Sequence, residues 1–495
     1  MLMILVFFII IGYVLYKVNI FKEPYTGKMS QRIIIISFVF LFILMLGIKP
    51  SFVPIFLEGE NDIYNKYLVD AILEGKTSID IEPSEELKQL ENPYDPNQRE
   101  DVEYSFDTAY YNGKYYVYFG IVPAIFVFVP FTLLTGQYLQ TNIATFLFIS
   151  LSIVASTVLI IQIYKRWFKN IPFNLLFVFI IAGCISGLYI WNTWRMWLYE
   201  LTLISGYFFV QLGLICILMA TKEEKKFNLK YVFLACLSMA LAVGCRPTLV
   251  LSSALLLPFL YKIVRQAYEN KNLKKTLVFI IIPYVIVAIP LMLYNYVRFD
   301  SIFEFGAKYQ LTVVDVTDLS ERYKDIPKGM YQYLLQPPKL KGEFPYIYTD
   351  FSEDGHTLNY CNGGIVCGIL FFNLTIIGCI FWHKYYKKVK DSILKGLMIA
   401  LPIVGVVMCM LVVYMGGTIQ RYAVDFFWMF SVLAMIIWLF MYENAKKEST
   451  KKIILITVLI LIAISILVNF IGTFLNTEMN YLERFFPDIF HFFEF

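Results

Sequence analysis

The chain has 495 residues, of which 59% are hydrophobic, 18% aromatic and 16% charged, and its formal net charge is +4. Soluble domains hold about 45–50% apolar and about 25% charged residues, so this composition indicates an integral membrane protein. The lysines and arginines lie in short segments between long apolar runs, a pattern that reports membrane topology and argues against nucleic-acid binding.

The apolar runs are long enough to cross a bilayer as helices, which takes about 20 residues each. We therefore expect an all-α polytopic transmembrane helical bundle of about twelve spans. The first run lacks the basic start and the small-residue cleavage site of a signal peptide, so it is interpreted as a span. The predicted spans are 1–20, 33–56, 141–164, 172–191, 198–220, 229–245, 248–264, 276–297, 363–382, 393–415, 420–442 and 452–475.

Six basic linkers separate these spans, and the positive-inside rule puts all of them in the cytoplasm. They are 17–32, 165–170, 222–230, 262–275, 383–395 and 446–452. The assignment is consistent only if a further apolar run, 117–135, does not cross the membrane. Gly120, Pro123 and Pro130 in that run favour a broken or re-entrant juxtamembrane helix.

The topology divides the chain into four parts and places both long loops on the outer face. The parts are an extra N-terminal helix with a basic cytoplasmic linker (1–32), a transmembrane core (33–297) with an outer loop (57–140), a second outer loop (298–362), and C-terminal transmembrane helices with a short outer tail (363–495).

Two local patterns predict structure inside the first outer loop. Asn61 or Asp62 can cap a surface helix that runs to about Glu74, with Gly75 as its stop. The Asn112-Gly113 pair between tyrosine-rich arms predicts a tight hairpin. The tyrosines of 104–118 can stack on sugar rings or form an interfacial aromatic belt, and the sequence leaves both open.

Three acids, Glu58, Glu60 and Asp62, follow the apolar run that ends near Phe56. Carboxylates are costly to desolvate, so a cluster at a membrane boundary suggests a function, such as general-base catalysis. The alternative is the solvated start of a loop in which Asp62 is only a helix cap. A fourth acid, Glu200, lies just inside another span, where the helix dipole and Arg195 offer a structural alternative to a catalytic role.

Three arginines, Arg246, Arg298 and Arg421, lie at predicted outer ends of spans. Arginines that share a face can clamp a phosphate or diphosphate better than lysines can. Each can instead be an interfacial anchor, and Arg421 can pair with Asp425 four residues later.

An early acid after a helix, an outer loop with surface helices, and a short turn carrying a second acid together resemble the GT-C glycosyltransferases. That superfamily includes the protein O-mannosyltransferases and the bacterial aminoarabinose transferase. The segments 107–120 and 298–306 look like those of uncharacterised bacterial members. The extra helix at 1–20, and Glu-Asn-Asp in place of an Asp-Glu pair, depart from the family pattern.

The resemblance implies a membrane enzyme that transfers a sugar from a polyprenyl-phosphate carrier to an envelope glycan, lipid or protein by inverting displacement. It maps the catalytic base to Asp62, or to Glu60 in another register, and the second acid to Glu200. The phosphate would be held by Arg246 and Arg298, with Arg421 as a third. Asp107 and Tyr111 are further substrate-binding candidates in the matching segment. Some members bind a divalent metal between carboxylates, and the sequence shows no clear ligand set. The rival function is a transporter or flippase for a lipid-linked or anionic substrate.

Overall fold

The computed structural model describes residues 17–52, 66–193, 196–223, 226–342, 346–348 and 365–472. Within these ranges the protein is a polytopic helical bundle, as the sequence predicts. The α-helices are Asn19–Lys22, Met29–Phe52, Leu68–Leu73, Glu85–Gln89, Val129–Thr135, Thr141–Trp167, Phe173–Ser186, Tyr189–Asn192, Leu198–Ala220, Leu229–Cys245, Leu257–Glu269, Leu273–Phe299, Ile326–Leu334, Ile369–Phe372, Trp382–Tyr386, Ser392–Gly416, Phe427–Glu443 and Glu448–Gly472. The 3₁₀ segments are Pro96–Arg99, Pro247–Leu256, Ala307–Tyr309, Arg322–Asp325, Leu374–Phe381 and Gln420–Asp425, and Ala124–Phe128 is a π-helix.

Eight helical segments of the described part are long and apolar enough to cross a membrane. The other four predicted spans differ for separate reasons. Most of 1–20 lies outside the described residues. The helix Leu229–Cys245 has 17 residues, and 420–442 is a 3₁₀ turn followed by a helix of 17 residues. The predicted span 363–382 is described from 365 onward and is broken at Asn373, whose side chain caps the following 3₁₀ segment.

The 117–135 run forms a short apolar helical segment, Ala124–Thr135. Twelve residues rise about 18 Å at about 1.5 Å per residue, well short of the hydrocarbon thickness of about 30 Å. Leu133 and Leu134 are 68% and 85% exposed, and the segment packs on the helix Leu68–Leu73. These features fit a juxtamembrane helix rather than a span.

Several basic linkers gather at one end of the bundle. Pro24 pairs with Pro172 in a β-bridge, and Glu23 O accepts a hydrogen bond from Phe173 N at 2.7 Å. Arg166 donates to Thr221 Oγ1 at 2.8 Å. A long helix with one terminus at this end therefore has its other terminus at the opposite end of the bundle.

The two outer loops pack against each other at that opposite end. The strands Ala109–Tyr111 and Lys114–Tyr116 form the predicted hairpin, with Tyr111 paired to Lys114 across Asn112-Gly113. Asn112 and Gly113 have φ of 49° and 71°, as a tight primed turn requires. Leu311 of the second loop exchanges backbone hydrogen bonds with Asp107 and Thr108. Further along the second loop, Lys339–Leu340 pairs with Ile347–Tyr348.

Candidate functional site

Arg246 lies at the end of the helix Leu229–Cys245 and is held by two residues far away in the sequence. Its Nε donates to Asp425 Oδ2 at 2.8 Å, and its guanidinium lies 4.8 Å from the centre of the Tyr422 ring. The Asp425 side chain is 1% exposed, whereas that of Arg246 is 21% exposed. Asp425 therefore anchors one edge of a guanidinium that is itself partly exposed.

The local helix type explains this pairing and corrects the alternative that Arg421 pairs with Asp425. Residues Gln420–Asp425 form a 3₁₀ helix, not an α-helix. With 3.0 residues per turn, side chains three apart lie above one another, and those four apart do not. Tyr422 and Asp425 therefore share the face that holds Arg246, while Arg421 points elsewhere.

Arg421 is directed at the start of the helix Leu198–Ala220. Its Nε lies 3.8 Å from Glu200 Oε1, and its guanidinium lies over the rings of Tyr199 at 4.7 Å and Tyr422 at 5.3 Å. Glu200 is buried, and its Oε2 accepts a hydrogen bond from Trp197 N at 3.3 Å. Glu200 thus combines the helix-capping role of the structural alternative with an ion pair to Arg421.

Tyr422 joins the two ion pairs into one cluster, which we call the arginine cluster and define as Glu200, Arg246, Arg421, Tyr422 and Asp425. Both guanidiniums contact the same tyrosine ring. The cluster contains two cations and two carboxylates in mostly buried surroundings. Charged groups are rare in such places unless they are paired or functional.

The segment after the hairpin closes one side of the arginine cluster. The rings of Phe119 and Tyr199 meet edge to face at 5.4 Å. Gly120 packs directly on Cys245, next to Arg246. The first outer loop therefore lies against the residues that carry the charges.

The arginine cluster lies at the end of the bundle opposite the basic linkers. The helix Leu198–Ala220 starts near Glu200 and ends beside Thr221, which contacts Arg166. The helix Phe427–Glu443 follows Asp425 and brings Phe440 to within 5.2 Å of Phe168. The cytoplasmic placement of the basic linkers that the sequence predicts would make this the outer end.

Arg298 lies outside the contacts of the arginine cluster and is used in the architecture of the outer loops. Its Nη1 donates to Val117 O at 2.7 Å, its Nη2 to Asn295 Oδ1 at 2.9 Å, and its Nε to Tyr294 O at 3.3 Å. Its guanidinium stacks on Tyr294 at 3.7 Å. An arginine with its edges occupied in this way fastens the segment after the hairpin to the helix Leu273–Phe299, and its phosphate-binding role stays a prediction.

Asp107 and Tyr111 lie in the packed outer loops. Asp107 has a φ of 55° and donates its N–H to Leu311 O at 3.0 Å, which joins the two loops. Tyr111 donates its hydroxyl to Asp300 Oδ2 at 3.2 Å, and its ring lies 4.6 Å from that of Tyr309. Partial burial and the hydrogen bond to the Asp300 carboxylate raise the pKa of Tyr111.

Glu58, Glu60 and Asp62 lie outside the described residues, so their predicted catalytic role remains a prediction. Arg195, the suggested neighbour of Glu200, lies outside them as well. Among the described residues no group of three or more His, Cys, Asp or Glu side chains could hold a metal ion.

Asp425 and Tyr422 are the members of the arginine cluster whose roles the sequence did not reveal. The available signal was their spacing of three residues, but side chains at that spacing lie directly above one another only in a 3₁₀ helix. Their partner Arg246 is 179 residues away from Asp425, a separation that no local pattern bridges.

No family model matches the chain, and no curated protein matches it. Among solved structures it is similar to the crystal structure of ArnT from Cupriavidus metallidurans bound to undecaprenyl phosphate. The match covers 89% of this chain and 76% of ArnT, with 10% sequence identity and a TM-score of 0.44. A TM-score below 0.5 does not establish a common fold, so the function proposed below rests on the residues of this chain.

Proposed function

We propose that the protein is a glycosyltransferase of the cell membrane that takes a sugar from a polyprenyl-phosphate carrier and transfers it to an envelope acceptor at the outer face. The observation that carries this proposal is the convergence of Arg246 and Arg421 on one tyrosine ring beside the buried Glu200. Two guanidiniums near a membrane surface suit a lipid-linked phosphate, since arginine forms bidentate hydrogen bonds with phosphate oxygens.

Arg246 is the better exposed of the two arginines and is the first contact for the phosphate. Its Nε is occupied by Asp425, and among the described residues its two Nη groups have no protein acceptor. Those groups form the outer edge of the guanidinium, which is the edge that a phosphate takes. Arg421 lies across the Tyr422 ring and supplies a second positive charge.

The reaction is a direct displacement at the anomeric carbon of the sugar. A hydroxyl or amine of the acceptor attacks that carbon as its bond to the phosphate oxygen breaks. The electron pair leaves with the polyprenyl phosphate, and Arg246 and Arg421 stabilise its developing charge. The proton from the acceptor passes to a general base, for which Asp62 is the candidate and Glu60 the alternative.

Glu200 orients the acceptor in this scheme. Its Oε2 is fixed by the Trp197 N–H and its Oε1 faces Arg421, so the carboxylate has a defined direction. A fixed group lowers the entropy cost of bringing reactants together. The outer loops, with Asp107 and Tyr111, lie above this end of the bundle and would meet the acceptor.

The test is an assay of the purified protein in nanodiscs with a panel of polyprenyl-phosphate sugars and an envelope extract as the source of acceptor, following release of polyprenyl phosphate. We expect release with at least one donor. Arg246→Lys and Arg421→Lys keep the charges of the ion pairs but lose the planar fork, so each should weaken donor use. Arg265→Lys, an exposed arginine near the basic linkers, is the matched control and should act as the wild type does.

The same preparation separates the enzyme from the rival transporter or flippase. In proteoliposomes a flippase moves a labelled lipid-linked substrate between leaflets without breaking the sugar–phosphate bond. Movement of the intact substrate with no release of polyprenyl phosphate would reject the proposed transfer.

A further inference from the structure

We propose that Asp425 is a charge-compensating and positioning residue that makes the phosphate site prefer a singly charged phosphodiester over a doubly charged phosphomonoester, relative to an uncompensated pair of arginines. This inference rests on the proposed function, because it concerns the phosphate site at Arg246. In the transfer reaction the diester is the sugar donor and the monoester is the spent carrier. Asp425 would therefore help the protein to release its product.

The positioning part follows from the contacts of Asp425. Its Oδ2 holds Arg246 Nε at 2.8 Å, while the ring of Tyr422, one 3₁₀ turn earlier, has its centre 4.8 Å from the same guanidinium. These two contacts position the guanidinium. The Nη edge is left pointing away from Asp425, toward the position that a phosphate would take.

The compensating part follows from the charges of the arginine cluster. Arg246 and Arg421 are matched by Asp425 and Glu200, so the two cations and two anions cancel. Asp425 is 2% exposed, and its Oδ1 has no hydrogen-bond partner among the described residues. Among the described residues its ion-pair partner is Arg246, so its negative charge also acts on any anion bound to the far edge of that guanidinium.

A phosphomonoester carries about one more negative charge than a diester at neutral pH, since its second pKa is about 6. A unit charge about 6 Å away changes the binding of another unit charge by about threefold in water and by about a hundredfold at an effective dielectric constant of about 20. The charge of Asp425 should therefore lower the affinity for the spent carrier, relative to that for the donor, by a factor in that range. Product release limits turnover in many enzymes, so such a bias affects the rate.

The experiment compares the binding of two short-chain polyprenyl ligands to the full protein in nanodiscs. The ligands are the monophosphate and its methyl diester. The variants are Asp425→Asn, which removes the charge but keeps an oxygen for Arg246, and the double variant Arg246→Gln with Asp425→Asn. Glu269→Gln is the matched control, since Glu269 also holds an arginine Nε, that of Arg265 at 3.2 Å, but on an exposed face near the basic linkers.

We expect Asp425→Asn to bind the monophosphate more tightly and to raise the ratio of monophosphate to diester affinity by at least about threefold. Product inhibition should become stronger by a similar factor, and Glu269→Gln should change neither. A purely structural role for Asp425 predicts the opposite, namely weaker binding of both ligands with no gain in the ratio. That result, or an unchanged ratio, would overturn the proposal.

Two further arms keep the test decisive. If Asp425→Asn does not fold, the wild type alone still tests the inference, because a compensated site should bind the two ligands within about tenfold of each other. A wild-type preference for the monophosphate of more than about tenfold would contradict it. If the double variant binds both ligands as tightly as the wild type does, the phosphate is not at Arg246 and the proposed function fails instead.

Discussion

Gly120 lies so close to Cys245 that a Cβ atom on Gly120 would stand 2.0 Å from the Cys245 carbonyl oxygen. A glycine at this point lets the segment that leaves the hairpin touch the backbone of the helix that carries Arg246. The same approach brings Phe119 onto Tyr199, whose ring in turn contacts Arg421. The first outer loop therefore packs directly against residues that adjoin the arginine cluster.

Gly120→Ala should separate these two backbones and disturb both the fold and the site. Overpacking of this kind costs about 1–3 kcal/mol, so the unfolding temperature should fall. Donor affinity should fall as well, because Arg246 adjoins the displaced residue. Gly342→Ala is the control, since a Cβ at Gly342 meets none of the described residues within 4 Å. Normal stability and normal donor affinity in Gly120→Ala would contradict the close approach.

Arg298→Ala should loosen the outer loops without selectively changing donor affinity. Its removal leaves the carbonyl of Val117 and the amide of Asn295 without their donor, at about 1–3 kcal/mol for each buried group. Hydrogen exchange should rise in 114–118 and 299–311 but not in the cytoplasmic linkers. Unchanged hydrogen exchange together with a large loss of donor affinity would show instead that Arg298 binds the phosphate.

The contact between the outer loops should weaken in acid through Asp315. Partial burial acts to raise the pKa of Asp315, but hydrogen bonds from Thr317 and Asn92 and the charge of Arg99 outweigh it, so the pKa is lowered. A lowered folded-state pKa gives stability above the unfolded-state value of about 3.9 that is lost as pH falls through the folded-state value.

Asp315→Asn should therefore reduce the acid-induced rise in hydrogen exchange of the two loops. Asp318→Asn is the control, because the pKa of Asp318 is lowered by Ser320 within its own turn rather than by a contact between loops. Equal acid sensitivity in the wild type and in Asp315→Asn would show that another group links the loops.

Asp62→Asn should lower transfer by about 10²–10⁴, the usual loss for a general base, while donor binding is largely kept. Glu58→Gln should have a milder effect, because Glu58 directly follows the apolar run. Near-normal turnover in Asp62→Asn with an inactive Glu60→Gln would assign the base to Glu60. Near-normal turnover in both, with Glu200→Gln also active, would reject the displacement mechanism.

The sequence predicted those parts of the fold that local patterns determine. Asn112-Gly113 requires two positive φ angles and forms the expected hairpin. The helix that ends at Leu73 stops just before Gly75, as predicted. Helix-length apolar runs coincide with most of the spans, because a membrane requires every backbone group to be paired within the segment.

The candidate site was only partly predictable, because tertiary contacts decide the partner of each charge. Arg298 was grouped with the other arginines by its position at a helix end, yet the acceptor at the shortest distance from it, Val117 O, is 181 residues away. Asp425 was matched to Arg421 on the assumption of an α-helix, whereas the 3₁₀ turn redirects it to Arg246. The break at Asn373 had a visible signal, since a polar amide interrupts an otherwise apolar run.

The central claim is that Arg246 and Arg421 hold the phosphate of a lipid-linked sugar, and a density map of the protein with a non-hydrolysable polyprenyl-phosphate sugar analogue tests it most directly. We predict the phosphate at the Nη edge of Arg246, with nitrogen–oxygen distances of about 2.7–2.9 Å, and the sugar on the side of Glu200. A phosphate bound among the basic linkers at the opposite end, or at Arg298 with Arg246 unengaged, would contradict the account.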